Sequence, residues 1–469
     1  MPAHTLAARL LLLTLVPFAF ACVEDPGADT QDPKSDGGPD PVDGCVPGDG
    51  PATDVEATLT DIATVVRVTW STAEPTEGRV HFTTATGARQ TAVSSGTEHE
   101  ALLVGNRVNT EVPFRITTDD GTEVACGEVR SLTTGGLPSD LPDLTVAIDP
   151  RYVIEGGGYT VAPIIQQTTS FVAILDSGGQ YVWAWTGQEA RYGGTYFNAD
   201  IDLARAGIYV NEQAVMEDTP GALRHVAFDG TEFPAVDIEG GHTDFVELPD
   251  GTMASLSWEI REVEGERYLG DRLLEVDTNG ATRTVWNVWD HYTPDLTREW
   301  MAGFYQPDRE VLDWSHVNGL SYDATEDAYF VSMTFNESVA RIERSTGQMT
   351  WVLSDPETIG MPHSVQFLGE TALVFNRGSA RDPDTCSNAT EIRIADGEVV
   401  WSYESEECVL VPFLGSALRL PEGNTLVDWS SAGQLDEVTP TGELLWRVSL
   451  NLGAAFGFAD RAGSLYPGE

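Results

Sequence analysis

Residues 171–183 read FVAILDSGGQYVW: an apolar strand, a glycine-centred turn and a second strand ending in an aromatic. The phrase returns as LRHVAFDGTEF at 223–233, LLEVDTNGATRTVW at 273–286, VARIERSTGQMTW at 339–351, EIRIADGEVVW at 391–401 and LDEVTPTGELLW at 435–446. The turn glycines, Gly179, Gly230, Gly280, Gly347, Gly397 and Gly442, stand 51, 50, 67, 50 and 45 residues apart. Such a period holds four short antiparallel strands. A second hairpin lies between the copies, clearest as FVELPDGTMASL at 245–256 and LRLPEGNTLVDW at 418–429. Two hairpins make a blade, so the chain is all-β, with a six-bladed β-propeller expected over residues 143–469. A blade cannot bury both faces alone, and strand material from 143–170 is expected to complete the last sheet. In four copies a tryptophan stands four residues past the glycine, at Trp183, Trp351, Trp401 and Trp446. The even offset keeps the ring on one face of its strand, where it can wedge adjacent sheets together.

The N-terminal third is organised differently. Arg9, the apolar run at 10–20 and the sequence Ala19-Phe20-Ala21-Cys22 resemble a bacterial lipoprotein signal over residues 1–21. Cys22 is then the lipidated first residue, and the protein an exported one, in the periplasm or at the outer membrane or cell surface of a Gram-negative-type bacterium. Val23 after that cysteine is compatible with outer-membrane sorting. An ordinary cleaved signal would give the same export. Residues 22–53 are rich in Asp, Pro and Gly and read as a solvated tether; their aspartates lack the spacing of a calcium loop. Residues 54–136 read as a β-sandwich, with Val66, Val68 and Trp70 alternating in VVRVTW, and resemble a fibronectin type III domain. Setting Cys22 aside, four cysteines remain, and proximity favours Cys45 with Cys126 and Cys386 with Cys408.

Charge and composition remove several chemistries. A net charge of −48 opposes nucleic acid and anionic lipid surfaces as partners. Of the 26 basic residues one is a lysine, Lys34 in the tether. The folded part therefore has no lysine for a phosphate-binding loop, a Schiff base or a Ser-Lys pair. There is no GxSxG elbow, no HExxH helix and no CxxC zinc spacing, and neither a cofactor nor a metal is expected.

Histidine chemistry remains. His242 lies in GGHTDFVELPDG, His316 in DWSHVNGLSYD and His363 in MPHSVQFLGETALVFNRG, each ahead of the first hairpin of its blade. That position puts each near one end of an innermost strand, facing the axial channel. Read singly, any of them is a polar group at a strand end; recurrence in successive blades argues for a shared site.

On these residues the propeller, over roughly 156–467, resembles the bacterial arylsulfate sulfotransferases. The resemblance rests on the paired hairpins, on Trp314, His316 and Asn318 as a Trp-x-His-x-Asn motif, and on the closing ADRAGSLYP at 459–467. It implies ping-pong transfer of a sulfuryl group from an aryl sulfate to a phenol through a sulfohistidine, with no nucleotide donor. It assigns the nucleophile to His363 and supporting roles to His316, His242 and Asn318. Trp314 and Phe335 become candidates to flank a phenol ring, and pairing into a homodimer through the smaller β-domain is compatible with it. Two departures stand out. The family's His-His-Asp motif is His242-Thr243-Asp244 here, and the arginine that holds sulfuryl oxygens falls on Thr334. Arg377, on the neighbouring blade, is the candidate substitute. Two other readings follow from the same sequence. One is a non-catalytic exported propeller that binds a ligand or protein partner at the same mouth. The other is a different hydrolase or lyase on a propeller, such as a sialidase-like enzyme, weakened because Asp176, Gly178 and Trp183 miss part of the Asp-box spacing.

Overall fold

The computed structural model describes residues 46–47, 50–154, 157–166, 169–187, 196–214, 220–294, 305–306, 310–379, 382, 384–451 and 453–467. The signal, the lipidation site at Cys22, Lys34 and Cys45 lie outside the described residues. Six sheets follow one another around a ring. Blade 2 is built of Tyr196–Asp202, Gly207–Glu212, Gly221–Ala227 and Val236–Ile238. Blade 3 contains Gly241–Glu247, Met253–Val263, Glu266–Val276 and Thr282–Asn287; blade 4 contains Val317–Asp323, Ala328–Met333, Ser338–Glu343 and Met349–Leu353. Blade 5 runs through Pro362–Phe367, Thr371–Asn376, Asn388–Arg393 and Val399–Glu404, and blade 6 through Ser416–Arg419, Thr425–Asp428, Gln434–Val438 and Leu444–Leu450. Strands deep within a blade are apolar runs buried on both faces, as in Ser170–Leu175 and Ala328–Met333, because neighbouring blades cover them. Outer strands such as Met349–Leu353 alternate between half-buried and exposed.

The ring closes twice. Blade 1 takes Tyr159–Ile165, Ser170–Leu175 and Tyr181–Trp185 from the start of the repeat region and its inner edge, Ala455–Phe456 and Asp460–Ala462, from the C-terminus. Leu144–Ile148 adds a fifth, outer strand to blade 6 by pairing with Leu444–Leu450. The 143–170 segment is thus shared: its first strand completes the last sheet, its second belongs to the first. The ADRAGSLYP segment is part of this closure. The Arg461 side chain is 8% exposed, pairs with Glu437 at 2.8 Å and lies over the Trp446 ring.

The repeated tryptophans join blades by a common bond. Trp183 donates its indole N–H to the Phe228 carbonyl (2.8 Å), Trp351 to Ile394 (3.0 Å) and Trp401 to Pro440 (2.9 Å). In each case the acceptor sits beside the closing turn of the next blade, so the ring and its N–H both work at the seam. Trp446 is buried but makes no such bond among the described residues.

Before the ring, the long strand Val66–Thr84 organises an N-terminal β-unit. Its first half pairs with Thr53–Leu59 and with Ser94–Leu103; its second half pairs with Glu111–Asp119. Cys126 is in a disulfide, and Val46–Pro47 runs parallel to the strand that carries it. This unit shares a core with the propeller, in which Trp70 and Phe82 are continuous with Trp183 and Phe228. Arg107 pairs with Asp176 at 2.7 Å, Arg67 pairs with Asp229, and the Tyr466 hydroxyl donates to Leu102 and accepts from the Val104 N–H. Asp176 also accepts the Gln180 N–H and so holds the first turn of the repeat.

Candidate functional site

The inner strands of four successive blades lose register near their first residues. The shift falls between Tyr196 and Ala199 in blade 2, Gly241 and Phe245 in blade 3, Val317 and Gly319 in blade 4, and Pro362 and Ser364 in blade 5. An extra residue at a bulge re-aims side chains that a regular strand would alternate. The residues at these irregularities, Phe197, His242, Thr243, Asn318 and His363, all line one cavity of about 220 Å³. The bulge position of blade 4 is therefore Asn318; His316 reaches the same cavity from just before the strand. His316 and Thr243 both hold positive φ, 51° and 50°, a conformation that a β-branched threonine adopts at a cost.

His363 is 2% exposed. Its Nδ1 lies 3.1 Å from the Gly415 carbonyl, which can only accept, so Nδ1 carries the hydrogen and Nε2 the lone pair. Burial first, then the Arg377 guanidinium and His316, hold its pKa well below the ordinary 6.5. The ring is thus a neutral base with Nε2 available, stacked on Phe458. Gly415 is required there: its φ is +99° and a Cβ would stand 2.2 Å from the Phe375 ring.

His316 places Nδ1 2.5 Å from Asp313 Oδ2 and stacks on Phe335. Asp313 orients the imidazole and leaves Nε2 for the cavity. His242 has Nδ1 3.0 Å from the Thr243 hydroxyl. Its Nε2 is 3.0 Å from Asp271 Oδ1, out of line for a hydrogen bond, and its ring stacks on Trp258. Asp271 is fixed in turn by the Ser315 hydroxyl and the Val317 N–H.

Thr334 is 0% exposed and does not line the cavity. Its hydroxyl accepts from Asn318 Nδ2 at 3.0 Å and donates to the Pro362 carbonyl at 2.6 Å, so it ties the bulge of blade 4 to the residue preceding His363. Arg377, 9% exposed, does line the cavity. One guanidinium nitrogen, Nη1, donates to the Pro412 carbonyl at 3.0 Å, and Nε and Nη2 have no hydrogen-bond partner among the described residues. Burial pushes its pKa down to about 10, against the attraction of Asp313, so it stays charged near neutrality.

One strap positions both groups. Residues 408–415 supply the Pro412 and Gly415 carbonyls and the cavity walls Phe413 and Leu414. The strap is anchored by the Cys386–Cys408 disulfide (Cα–Cα 5.1 Å) and by Ser387, whose hydroxyl donates to Arg377 O and accepts the Val411 N–H.

Among the sequence-proposed residues, the cavity gathers His242, His316, His363, Asn318 and Arg377. Trp314 is buried against Trp289 in the core, and Phe335 backs His316; neither faces the cavity. The aromatic walls are instead Phe197, Trp258 and Phe413. Asp313 and Asp271 also line the cavity, beyond the residues that the repeat pattern singles out. Asp313 lies in the stretch that lengthens one repeat interval to 67 residues, where Val311–Asp313 pairs with an extension of the blade 3 hairpin. That irregular interval was the available signal.

Residues 152–421 match the family model described as arylsulfotransferase (ASST). Among curated proteins, the chain is similar to the arylsulfate sulfotransferase AssT of Escherichia coli O6:H1 strain CFT073, 24% identical over 229 residues, and to that of Lelliottia amnigena, 22% identical over 229 residues. Each alignment covers 39% of this chain and 36% of the relative, so the match spans about a third of the curated relatives' length. Among solved structures, a protein of unknown function from Bacteroides caccae aligns over 65% of this chain and 98% of its own, with a TM-score of 0.45 and 14% identity. Since the matched family region exceeds half of the chain, the protein belongs to the arylsulfotransferase family.

Proposed function

We propose that the cavity transfers a sulfuryl group from an aryl sulfate to a phenolic acceptor through His363. The observation that carries this reading is the state of His363: neutral by burial, its hydrogen held on Nδ1 by the Gly415 carbonyl, its Nε2 lone pair free for attack. In the first half-reaction Nε2 bonds to sulfur as the sulfur–oxygen bond to the aryl group breaks, and the departing phenoxide takes the Nε2 proton of His316, which enters this step protonated on both nitrogens. In the second, the acceptor oxygen bonds to sulfur, the nitrogen–sulfur bond breaks, and the acceptor's proton returns to His316. Asp313 holds His316 for both transfers. Asn318 spends one amide hydrogen on Thr334 and keeps a second for a sulfuryl oxygen, and His242 stands beside it. Trp258, Phe197 and Phe413 supply apolar walls suited to aromatic rings.

Purified protein given 4-nitrophenyl sulfate and phenol should release nitrophenol and form phenyl sulfate, and His363→Ala should do neither. Transfer surviving that substitution contradicts the assignment. Thr334, standing where the family places an arginine, favours a second reading, ligand binding without turnover; no transfer across a panel of donor and acceptor phenols would select it.

The sequence of residues 9–22 supports export as a lipoprotein anchored through Cys22, in the periplasm or at the outer membrane. Alternation in residues 54–136 supports a fibronectin type III-like module that spaces or dimerises the enzyme. Incorporation of labelled palmitate, lost in Cys22→Ala, tests the anchor.

A further inference from the structure

In a chain of net charge −48, a buried guanidinium with half of its hydrogen-bonding edge unused calls for an explanation. Arg377 is fixed by its Nη1 bond to Pro412 and by Ser387, which holds its backbone carbonyl. The Nε and Nη2 nitrogens, left without a partner among the described residues, form the edge of a guanidinium that binds two oxygens of one group at once. Two carboxylates, Asp271 and Asp313, line the same cavity, both almost wholly buried. They limit how much negative charge the cavity can accept. Burial also makes an unpaired charge expensive, so a protein that keeps Arg377 here gains most when an anion completes it.

We propose that the Nε–Nη2 edge of Arg377 seats two oxygens of a singly charged tetrahedral ester, and that Asp271 and Asp313 make the cavity refuse doubly charged ones. The inference rests on the sulfuryl-transfer reading for the nature of the ester, and it makes Arg377 a specificity-determining residue. An aryl sulfate carries one charge over its oxygens and matches one guanidinium edge. An aryl phosphate, at a pH where both acidic protons are gone, brings a second charge toward two buried carboxylates with no second arginine and no lysine among the cavity-lining residues.

The test uses the full chain and a probe without a leaving group, so that binding is read apart from chemistry. Calorimetry at pH 8 compares benzenesulfonate, a monoanion, with phenyl phosphate, a dianion. Benzenesulfonate should bind the wild type, and phenyl phosphate should bind at least about tenfold more weakly. Arg377→Lys keeps the charge but loses the two-pronged edge, and should weaken benzenesulfonate by about tenfold or more; Arg377→Met should lose it altogether. Thermal midpoints of both variants report folding. Should the methionine variant fail to fold, the lysine variant and the wild-type comparison of the two anions still decide. Unchanged benzenesulfonate affinity in the lysine variant, equal affinity for the two anions, or no benzenesulfonate binding by the wild type would each overturn the proposal. Arg377-dependent benzenesulfonate binding without sulfuryl transfer removes the enzyme reading and leaves the seat. Transfer with unaltered KM in Arg377→Lys removes the seat and leaves the enzyme.

Discussion

With Nδ1–H committed to the Gly415 carbonyl and the ring held neutral by burial, the Nε2 lone pair of His363 stays unprotonated over a wide pH range. Its folded pKa lies below the unfolded 6.5, so protonation, which would remove the proposed nucleophile, requires a pH well under that value. The first half-reaction, measured as nitrophenol burst amplitude, should therefore persist below pH 6.5; a loss centred at 6.5 would mean an ordinary, solvated imidazole. Thr334 gives a second prediction. Thr334→Val removes the hydroxyl that bridges Asn318 and the Pro362 carbonyl, leaving buried polar atoms unpaired at a cost of about 1–3 kcal/mol. Both the melting temperature and the transfer rate should fall, because the same bond fixes two cavity elements. The three histidines and Asn318 were legible in the sequence because each precedes a recognisable hairpin. Asp271, Asp313 and Trp258 were not, because their approach to the cavity depends on an extended hairpin and an inserted strand without the repeat's spacing.

At the scale of elements, the tryptophan of the closing hairpin is an inter-blade fastener whose strength follows its burial. Trp183 is fully buried while the Trp401 bond is exposed. Trp183→Phe should then cost about 2 kcal/mol and Trp401→Phe less than about 1 kcal/mol, read from denaturant midpoints. Equal costs would show that ring packing, not the indole bond, sets the seam. The hairpins and their turns were legible from glycine spacing and strand alternation. The bulges at the heads of the inner strands were not, since a register shift leaves no composition signal, yet it is these that turn Phe197, Asn318 and His363 toward one another.

At the scale of the whole molecule, Asp244 links blades 2, 3 and 4 near the axis. Its carboxylate accepts from Asn198 of blade 2 (2.6 Å), the Phe245 N–H (2.8 Å) and the Leu320 N–H of blade 4 (2.6 Å). Burial outweighs these bonds and raises its pKa to about 7. The folded protein keeps a proton that the unfolded chain releases near 3.8, so this group favours folding at acid pH, and the contribution is lost as pH rises from about 4 through about 7. The melting temperature should fall across that window, and Asp244→Asn should flatten the fall. A slope unchanged in the variant would assign it to general repulsion among the other carboxylates. The six-blade count was legible from the repeat; the strap at 408–415 and the core shared with the N-terminal unit were not, because both arise from contacts between segments far apart in the chain.

The proposed mechanism requires a sulfuryl group to rest on His363. Mixing the protein with 4-nitrophenyl sulfate in the absence of acceptor, then digesting it at alkaline pH for peptide mass spectrometry, tests this directly. A sulfuryl adduct is expected on the peptide that carries His363, discharged by added phenol and missing from His363→Ala; an unmodified peptide during active turnover, or an adduct on His316 or His242 instead, would contradict the mechanism.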